Sequence, residues 1–244
     1  RLVVPRILPK CRKIITVSHF ECNRIRETLH LPENKIMAIY NGFSNHFQPL
    51  DNIETVTQKY IPVTGYLFFL GNTDPKKNTP RTLKAYYSYL QQSKEKRPLL
   101  IADLKPEFVD EMLKETGLEN IRPYLYLPGY IPNTDLPFIY NGAFAFLYTS
   151  LRESFGIPLL EAMACGIPVI TSDTSSMPEI GGEGAILTDP TDERSIAAQL
   201  LLLEQDKEYY QKQSAYGLER AKCFSWEQTA RELLKLYQST VKSK

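Results

Sequence analysis

The stretch Glu153-Ser-Phe-Gly-Ile-Pro-Leu-Leu-Glu161-Ala-Met-Ala-Cys-Gly-Ile-Pro-Val-Ile170 decides how the chain is read. It describes a carboxylate at a strand end, a helix opening near Phe155, a glycine stop at Gly166 and a buried strand from Pro168 to Thr171. The pattern places Ser154, Phe155, Gly156 and Ile157 in the first helical turn, where N–H groups lack intrahelical acceptors and the helix dipole is positive. Such an end favours an anionic ligand, and Gly156 lets the ligand come close. Glu161 lies eight positions beyond Glu153, a rise of about 12 Å on an ideal helix. Glycosidase carboxylates stand roughly 5 to 9.5 Å apart. The two acids are therefore read as gripping opposite ends of one elongated ligand.

Outward from this stretch, short apolar strands alternate with helices. Tyr66 to Leu70 is a continuous apolar run, as expected of a parallel strand covered on both faces, and a helix follows from about Pro80 to Gln91. Further strands are expected at Leu99 to Ala102, Tyr124 to Leu127, Ala143 to Leu147, Val169 to Thr171 and Ala185 to Leu187. The alternation implies an α/β fold, a Rossmann-like doubly wound parallel sheet with right-handed crossovers. Ligands of such sheets sit beyond the carboxyl ends of the strands, so the loops at Gly71, Gly129, Ser150 and Ser172 are expected on one rim. Helices at Glu193 to Leu203, Lys207 to Ala221 and Trp226 to Val241 close the chain, the last capped by Ser225. It carries Leu233, Leu234, Leu236 and Tyr237 as an apolar stripe.

The first fifty residues do not read as a free-standing domain. A strand at Lys13 to Val17, the N-cap Ser18, a helix at Glu21 to Leu29, a strand at Ile36 to Tyr40 and a turn at Asn41-Gly42 cannot bury both faces of a sheet. Arg1, Arg6, Lys10, Arg12 and Lys13 alternate with Leu2, Val3, Val4, Ile7 and Leu8; Pro5 and Pro9 break any helix there, so a solvated connecting segment is expected. The division that follows is 1–49, 50–225 and 226–244.

Composition removes several functions. A net charge of +1 over 244 residues gives no basis for general polyanion binding, and nucleic acid is not expected as a partner. Cys11, Cys22, Cys165 and Cys223 lack C-x-x-C spacing and companion histidines, which points to reduced, mostly buried thiols and no zinc. No apolar run approaches the roughly 18 residues of a membrane span. The chain opens on Arg1 without a signal-like segment and is expected to be a piece of a longer protein.

Gly71-Asn-Thr-Asp-Pro-Lys-Lys-Asn78 is the second candidate region. Gly71 permits close backbone approach, while Lys76 and Lys77 bring ammonium groups beside a helix start, so a phosphate is the expected ligand. The loop lacks the G-x-G-x-x-G of a dehydrogenase. Asp173 lies on the same rim without a second carboxylate to complete a metal site.

Glu153 and Glu161 with seven residues between them, followed by Ala-Met-Ala-Cys-Gly-Ile-Pro-Val-Ile, resemble the E-x7-E motif of family 4 retaining glycosyltransferases. Gly71 to Asn78 resembles that family's G-x-x-x-P-R-K-N loop, and Gly129-Tyr-Ile-Pro-Asn-Thr-Asp-Leu-Pro-Phe-Ile-Tyr140 its nucleobase segment. The resemblance covers nearly the whole chain. It implies the C-terminal, nucleotide-sugar-binding half of a two-domain GT-B enzyme, with residues 1–49 as the end of the N-terminal acceptor-side domain and 226–244 as the helix that crosses back to it.

By this resemblance Lys77 binds the donor diphosphate, Glu153 the sugar hydroxyls and Glu161 the ribose. Tyr130 and Ile131 line the base through their main chain, the amides of Phe155, Gly156 and Ile157 line the sugar and phosphate, and Leu159 flanks the nucleotide. Asn72 stands where many members have a second phosphate-binding arginine, leaving Lys76 as its substitute or the phosphates less firmly held. Lys77 and Glu153 are the implied catalytic residues, with no metal and no other cofactor. Glu153 as a covalent nucleophile is the weaker alternative.

The implied reaction moves a hexosyl group from a GDP-, UDP- or ADP-sugar to a glycan or glycolipid hydroxyl with retention. The implied setting is polysaccharide or lipopolysaccharide assembly, cytoplasmic or peripheral at the inner face of the cell membrane. The piece alone is expected to be inactive, its acceptor wall being absent. A nucleotide-sugar epimerase of the same architecture and a non-catalytic nucleotide-binding module are the alternatives.

Overall fold

In the computed structural model the described residues are 4–242. Arg1, Leu2 and Val3 of the basic opening, and residues 243–244 of the terminal segment, lie outside them. Helix α1 (Val4–Ile7), strand β1 (Ile14–Thr16), helix α2 (His19–Leu29) and strand β2 (Ile36–Ala38) come first, β1 and β2 pairing in parallel with Ile14 opposite Ile36. Its core is small: Ile14, Cys22, Leu31 and Ile36 are buried together. Helix α3 (Glu54–Thr57) leads into the larger unit.

That unit runs β3 (Tyr66–Leu70), α4 (Thr79–Gln92), β4 (Leu99–Ala102), α5 (Pro106–Thr116), β5 (Leu125–Gly129), α6 (Leu136–Gly142), β6 (Ala143–Tyr148), α7 (Ile157–Ala164), β7 (Val169–Ser172), α8 (Met177–Gly181) and β8 (Ile186–Thr188). Helices α9 (Glu193–Gln205), α10 (Lys207–Ala221) and α11 (Trp226–Lys242) follow. The strands form one parallel sheet in the order β5-β4-β3-β6-β7-β8. The order reverses between β3 and β6, and a doubly wound sheet opens its ligand crevice at that switch point.

Period-two alternation divides the core. Tyr66 and Phe68 pack with Tyr140, Phe146, Leu159 and Leu160 on one side, while Leu67 and Phe69 pack with Leu83, Tyr86, Tyr89 and Leu99 on the other. Residues Tyr66 to Phe69 are at most 2% exposed, which is why the run carries no polar side.

Several local expectations change. Pro5 and Pro9 do not exclude helical turns: α1 and a 3-10 turn at Leu8–Lys10 form, because proline is tolerated in a first turn where its missing N–H costs no bond. Asn41-Gly42 is not a turn. Gly42 instead lies against the start of α11, where an added Cβ would stand 2.1 Å from the Trp226 amide nitrogen. Phe47 belongs to the main core, so the chain joins the larger unit before residue 49. Two of the four cysteines, Cys22 and Cys165, are buried; Cys11 is half-buried and Cys223 exposed. On α11, Leu236 is buried and Leu233 half-buried, whereas Leu234 and Tyr237 face outward.

The small unit is seated on the large one by a carboxylate. Glu179 in α8 accepts from the His19 amide at 2.7 Å and the Phe20 amide at 2.9 Å, and from the Tyr40 phenol at 2.8 Å. A carboxylate at a helix N-terminus satisfies amides that have no acceptor within the helix and complements its dipole. Burial and Glu179 push the Tyr40 phenol up to about 12, so it remains a donor. Ser18 caps α2 by accepting from the Glu21 amide, and its hydroxyl donates to the Ser154 carbonyl at 2.7 Å. Thr229 of α11 donates to the Tyr40 carbonyl, and Arg12 to the Thr240 carbonyl, so α11 crosses onto the small unit.

Candidate functional site at the switch point

Lys77 follows β3 and Glu153 follows β6, the two strands that flank the switch point. The Lys77 ammonium donates to Glu153 Oε1 at 2.7 Å and lies 5.3 Å from the centroid of the Tyr148 ring. Between the two loops, the Leu151 amide donates to the Lys76 carbonyl at 2.7 Å. The four expected rim loops are linked, two of them through the end of β4: the Gly71 amide donates to the Ala102 carbonyl, the Asp103 amide to the Gly129 carbonyl, and the Ser172 hydroxyl to the Ser150 carbonyl.

The lysine loop is shaped by short-range bonds. Asn72 Oδ1 accepts from the Asp74 amide at 2.9 Å, and Asp74 Oδ1 from the Lys76 amide at 3.0 Å, two side-chain turns in succession. The Lys76 ammonium pairs with Asp74 at the surface, leaving Lys77 as the lysine aimed at Glu153. Packing by itself requires glycine at position 71: a Cβ there would meet Leu104 Cδ1 at 2.4 Å.

On the other side of the crevice, α7 starts later than the sequence suggests. Gly156 stands before it with φ +98°, and the helix opens at Ile157 with proline in its first turn. Ser154, Phe155 and Gly156 therefore form a non-helical loop, because the left-handed glycine breaks the helical path. The helical-rise separation of Glu153 and Glu161 does not apply, since only the part from Ile157 onward is helical. The loop is fixed through its backbone: the Glu153 amide donates to Ser175 Oγ, and Ser176 donates to the carbonyls of Glu153 and Phe155.

The Phe155 side chain is buried against Tyr40 and Phe224, so this residue presents only main chain to the rim. Leu159 does not flank a ligand with its side chain; it is fully buried in the core, and its amide donates to Gly156 O. Ile131 is likewise core, while Tyr130 is 72% exposed at the rim.

Glu161 is half-buried inside α7. Its Oε2 accepts from the Tyr140 phenol at 3.2 Å. Burial pushes the Glu161 carboxyl up to about 7, against the opposing effect of the Tyr140 hydrogen bond. Among the described residues no three His, Cys, Asp or Glu side chains gather as a metal site, Asp173 included.

The profile of the family described as Glycosyl transferases group 1 matches residues 62–220, the whole rim included. This chain belongs to that family. The group 1 chain is 32% identical over 234 residues to O-antigen chain mannosyltransferase B of Escherichia coli, covering 94% of this chain and 61% of that protein. It is 27% identical over 225 residues to the serotype-specific mannosyltransferase WbdA of Escherichia coli, covering 89% of this chain and 27% of that protein. The chain thus spans less than two thirds of either relative. A Rickettsia africae glycosyltransferase superposes with TM-score 0.84 at 17% identity, over 100% of this chain and 68% of that one, and shares the fold. So does the Anabaena protein HepE, solved in complex with UDP, with TM-score 0.82 at 18% identity over 97% of this chain and 66% of that one.

Three groups of the group 1 site escaped the sequence reading. Asn78, buried at 3% exposure, donates from Nδ2 to the carbonyls of Thr149 and Pro190 and so ties the lysine loop to two others. Ser175 and Ser176 hold the Glu153 loop, and Ser18 holds it from the small unit, which Glu179 of α8 in turn seats through the His19 amide. Asn78 stands next to Lys77 before a helix, a visible signal; the other contacts join distant segments and leave none.

Proposed function

We propose that this chain is the donor-binding part of a glycosyltransferase that moves a hexosyl group from a nucleoside diphosphate sugar to an acceptor hydroxyl. The observation that carries the reading is the Lys77–Glu153 pair across the switch point. Lys77 is the cation for the diphosphate and Glu153 the acceptor for sugar hydroxyls. Glu161 takes the ribose, and the main chain at Gly129 to Ile131 faces the base.

The departing diphosphate gains its stabilisation from the Lys77 ammonium and from amides at the start of α7, electrostatic groups fixed before reaction. This supply of positive charge supports transfer without a divalent metal, and the transfer is proposed to retain the anomeric configuration. Mannosyltransferase relatives whose names place them in O-antigen chain synthesis support a role in cell-surface polysaccharide or lipopolysaccharide assembly. HepE, solved with UDP and with UDP-glucose, supports a nucleotide-sugar donor. The glycan or glycolipid acceptor is assigned to a region of a longer protein, working at the cytoplasmic side of the cell membrane. Among the described residues no helix is long and apolar enough to cross a membrane.

The test compares GDP-mannose with GDP and UDP-glucose with UDP by calorimetry. The sugar is expected to add affinity for one pair, and Glu153→Gln to remove that increment, read as the ratio of sugar-nucleotide to free-nucleotide affinity within each protein. An increment that survives Glu153→Gln contradicts the assignment.

A further inference from the structure

At the ribose end of the site stands a residue with no role so far. Tyr140 in α6 is fully buried. Its ring packs edge-to-face at 5.2 Å on Phe68 of β3 and 5.2 Å on Phe146 of β6, and at 5.8 Å on Phe47. Three aromatic walls from separate parts of the chain restrict the ring, and edge-to-face contacts favour that arrangement. In it the phenol meets α7 and donates to Glu161 Oε2 at 3.2 Å. One carboxylate oxygen is thereby taken from inside the protein, and Oε1 is left for a ligand.

The titratable side chains that face Glu161 are Tyr140 from α6, Tyr148 from β6, and Cys165 at the C-terminal cap of α7. Burial raises all three above their ordinary values and keeps them neutral. Lys77 is committed to Glu153. The Tyr140 hydroxyl is therefore the protein group that favours the ionised form of Glu161.

We infer that Tyr140 is a positioning residue of the donor site, its buried phenol fixing the Glu161 carboxylate so that Oε1 accepts from ribose hydroxyls. This rests on the assignment of Glu161 to the ribose. A carboxylate accepts hydroxyl hydrogen bonds more strongly than a carboxylic acid does. Ribose recognition therefore weakens on acidification, at a midpoint that burial raises and the Tyr140 bond lowers.

The experiment measures affinity for UDP, GDP and ADP and for their 2′,3′-dideoxy counterparts across about pH 5.5 to 8.5, in the wild type, Tyr140→Phe and Glu161→Gln. The ratio of ribo to dideoxy affinity isolates the ribose contact. It is expected to fall on acidification in the wild type and to drop about fivefold to tenfold in Tyr140→Phe near neutral pH, the size of one ordinary hydrogen bond. The midpoint is expected to move to higher pH, while dideoxy binding and the thermal midpoint report an intact fold. Carbon NMR titration of the Glu161 carboxyl without nucleotide gives a second reading, in which Tyr140→Phe raises the midpoint. A ratio lost in Glu161→Gln but unchanged in size and midpoint in Tyr140→Phe overturns the inference alone. A ratio that survives Glu161→Gln overturns the ribose assignment and the inference with it.

Discussion

Lys77 and Glu153 hold each other at 2.7 Å across the one point where the strand order of the sheet reverses. Each supplies the charge that the other needs, so the rim keeps a cation and an anion in place until a ligand engages both. Their side chains are 22% and 14% exposed, which puts the pair between a surface ion pair and a buried one. A double-mutant cycle of Lys77→Ala with Glu153→Ala, followed by urea unfolding, is expected to show a coupling of about 1 kcal/mol. A coupling near zero would mean that the two groups do not act as a pair in solution.

Glu161 should make the protein less stable at high pH than a neutral isostere would. Burial pushes its carboxyl up to about 7 from an ordinary 4.5, so the folded state holds the proton more tightly than the unfolded state does. Stability from this group is full below the ordinary value, falls as pH rises through about 7, and then levels. Glu161→Gln escapes that loss. Its advantage over the wild type is expected to grow by on the order of 2–3 kcal/mol between about pH 5 and pH 8. Denaturant titrations at both pH values check it; an advantage that shrinks with pH contradicts it.

Glu179→Ala is expected to loosen the small unit. The change removes the acceptor of the His19 and Phe20 amides and of the Tyr40 phenol. Loss of a helix cap costs about 1–2 kcal/mol. Hydrogen exchange should quicken in α2 while the β3 and β6 amides stay protected. Uniform acceleration through the whole chain would show that the clamp is not local.

Asn78→Ala breaks two buried bonds, to the carbonyls of Thr149 and Pro190, at a residue held in the left-handed region with φ 61°. Leaving buried carbonyls unsatisfied costs about 1–3 kcal/mol each at most. The thermal midpoint is expected to fall by several degrees, with nucleotide affinity falling as well because the same loop carries Lys77. An unchanged midpoint would deny Asn78 its structural role.

The sheet was legible because its signal is local. Tyr66 to Phe69 is apolar at every position, and only a strand covered on both faces needs that. The E-x7-E string and the Lys-Lys loop were legible as motifs, and the topology then brought Lys77 to Glu153. The start of α7 was misplaced because Gly156 and Pro158 each fit a helix N-terminus, and the backbone angle of +98° at Gly156 decides where it lies. Glu179 and Tyr140 went unassigned for another reason. Glu179 meets His19 across 160 positions and Tyr140 meets Glu161 from another helix, relations that no spacing in the sequence encodes.

Calorimetric titration of this chain with UDP, GDP and ADP, repeated on Lys77→Ala, tests the donor site most directly. One nucleotide is expected to bind in preference, and Lys77→Ala to weaken it by about tenfold to a hundredfold, while the matching nucleoside binds both proteins alike. Equal affinity of the wild type and Lys77→Ala for the preferred nucleotide would contradict the assignment of the switch point as a diphosphate site.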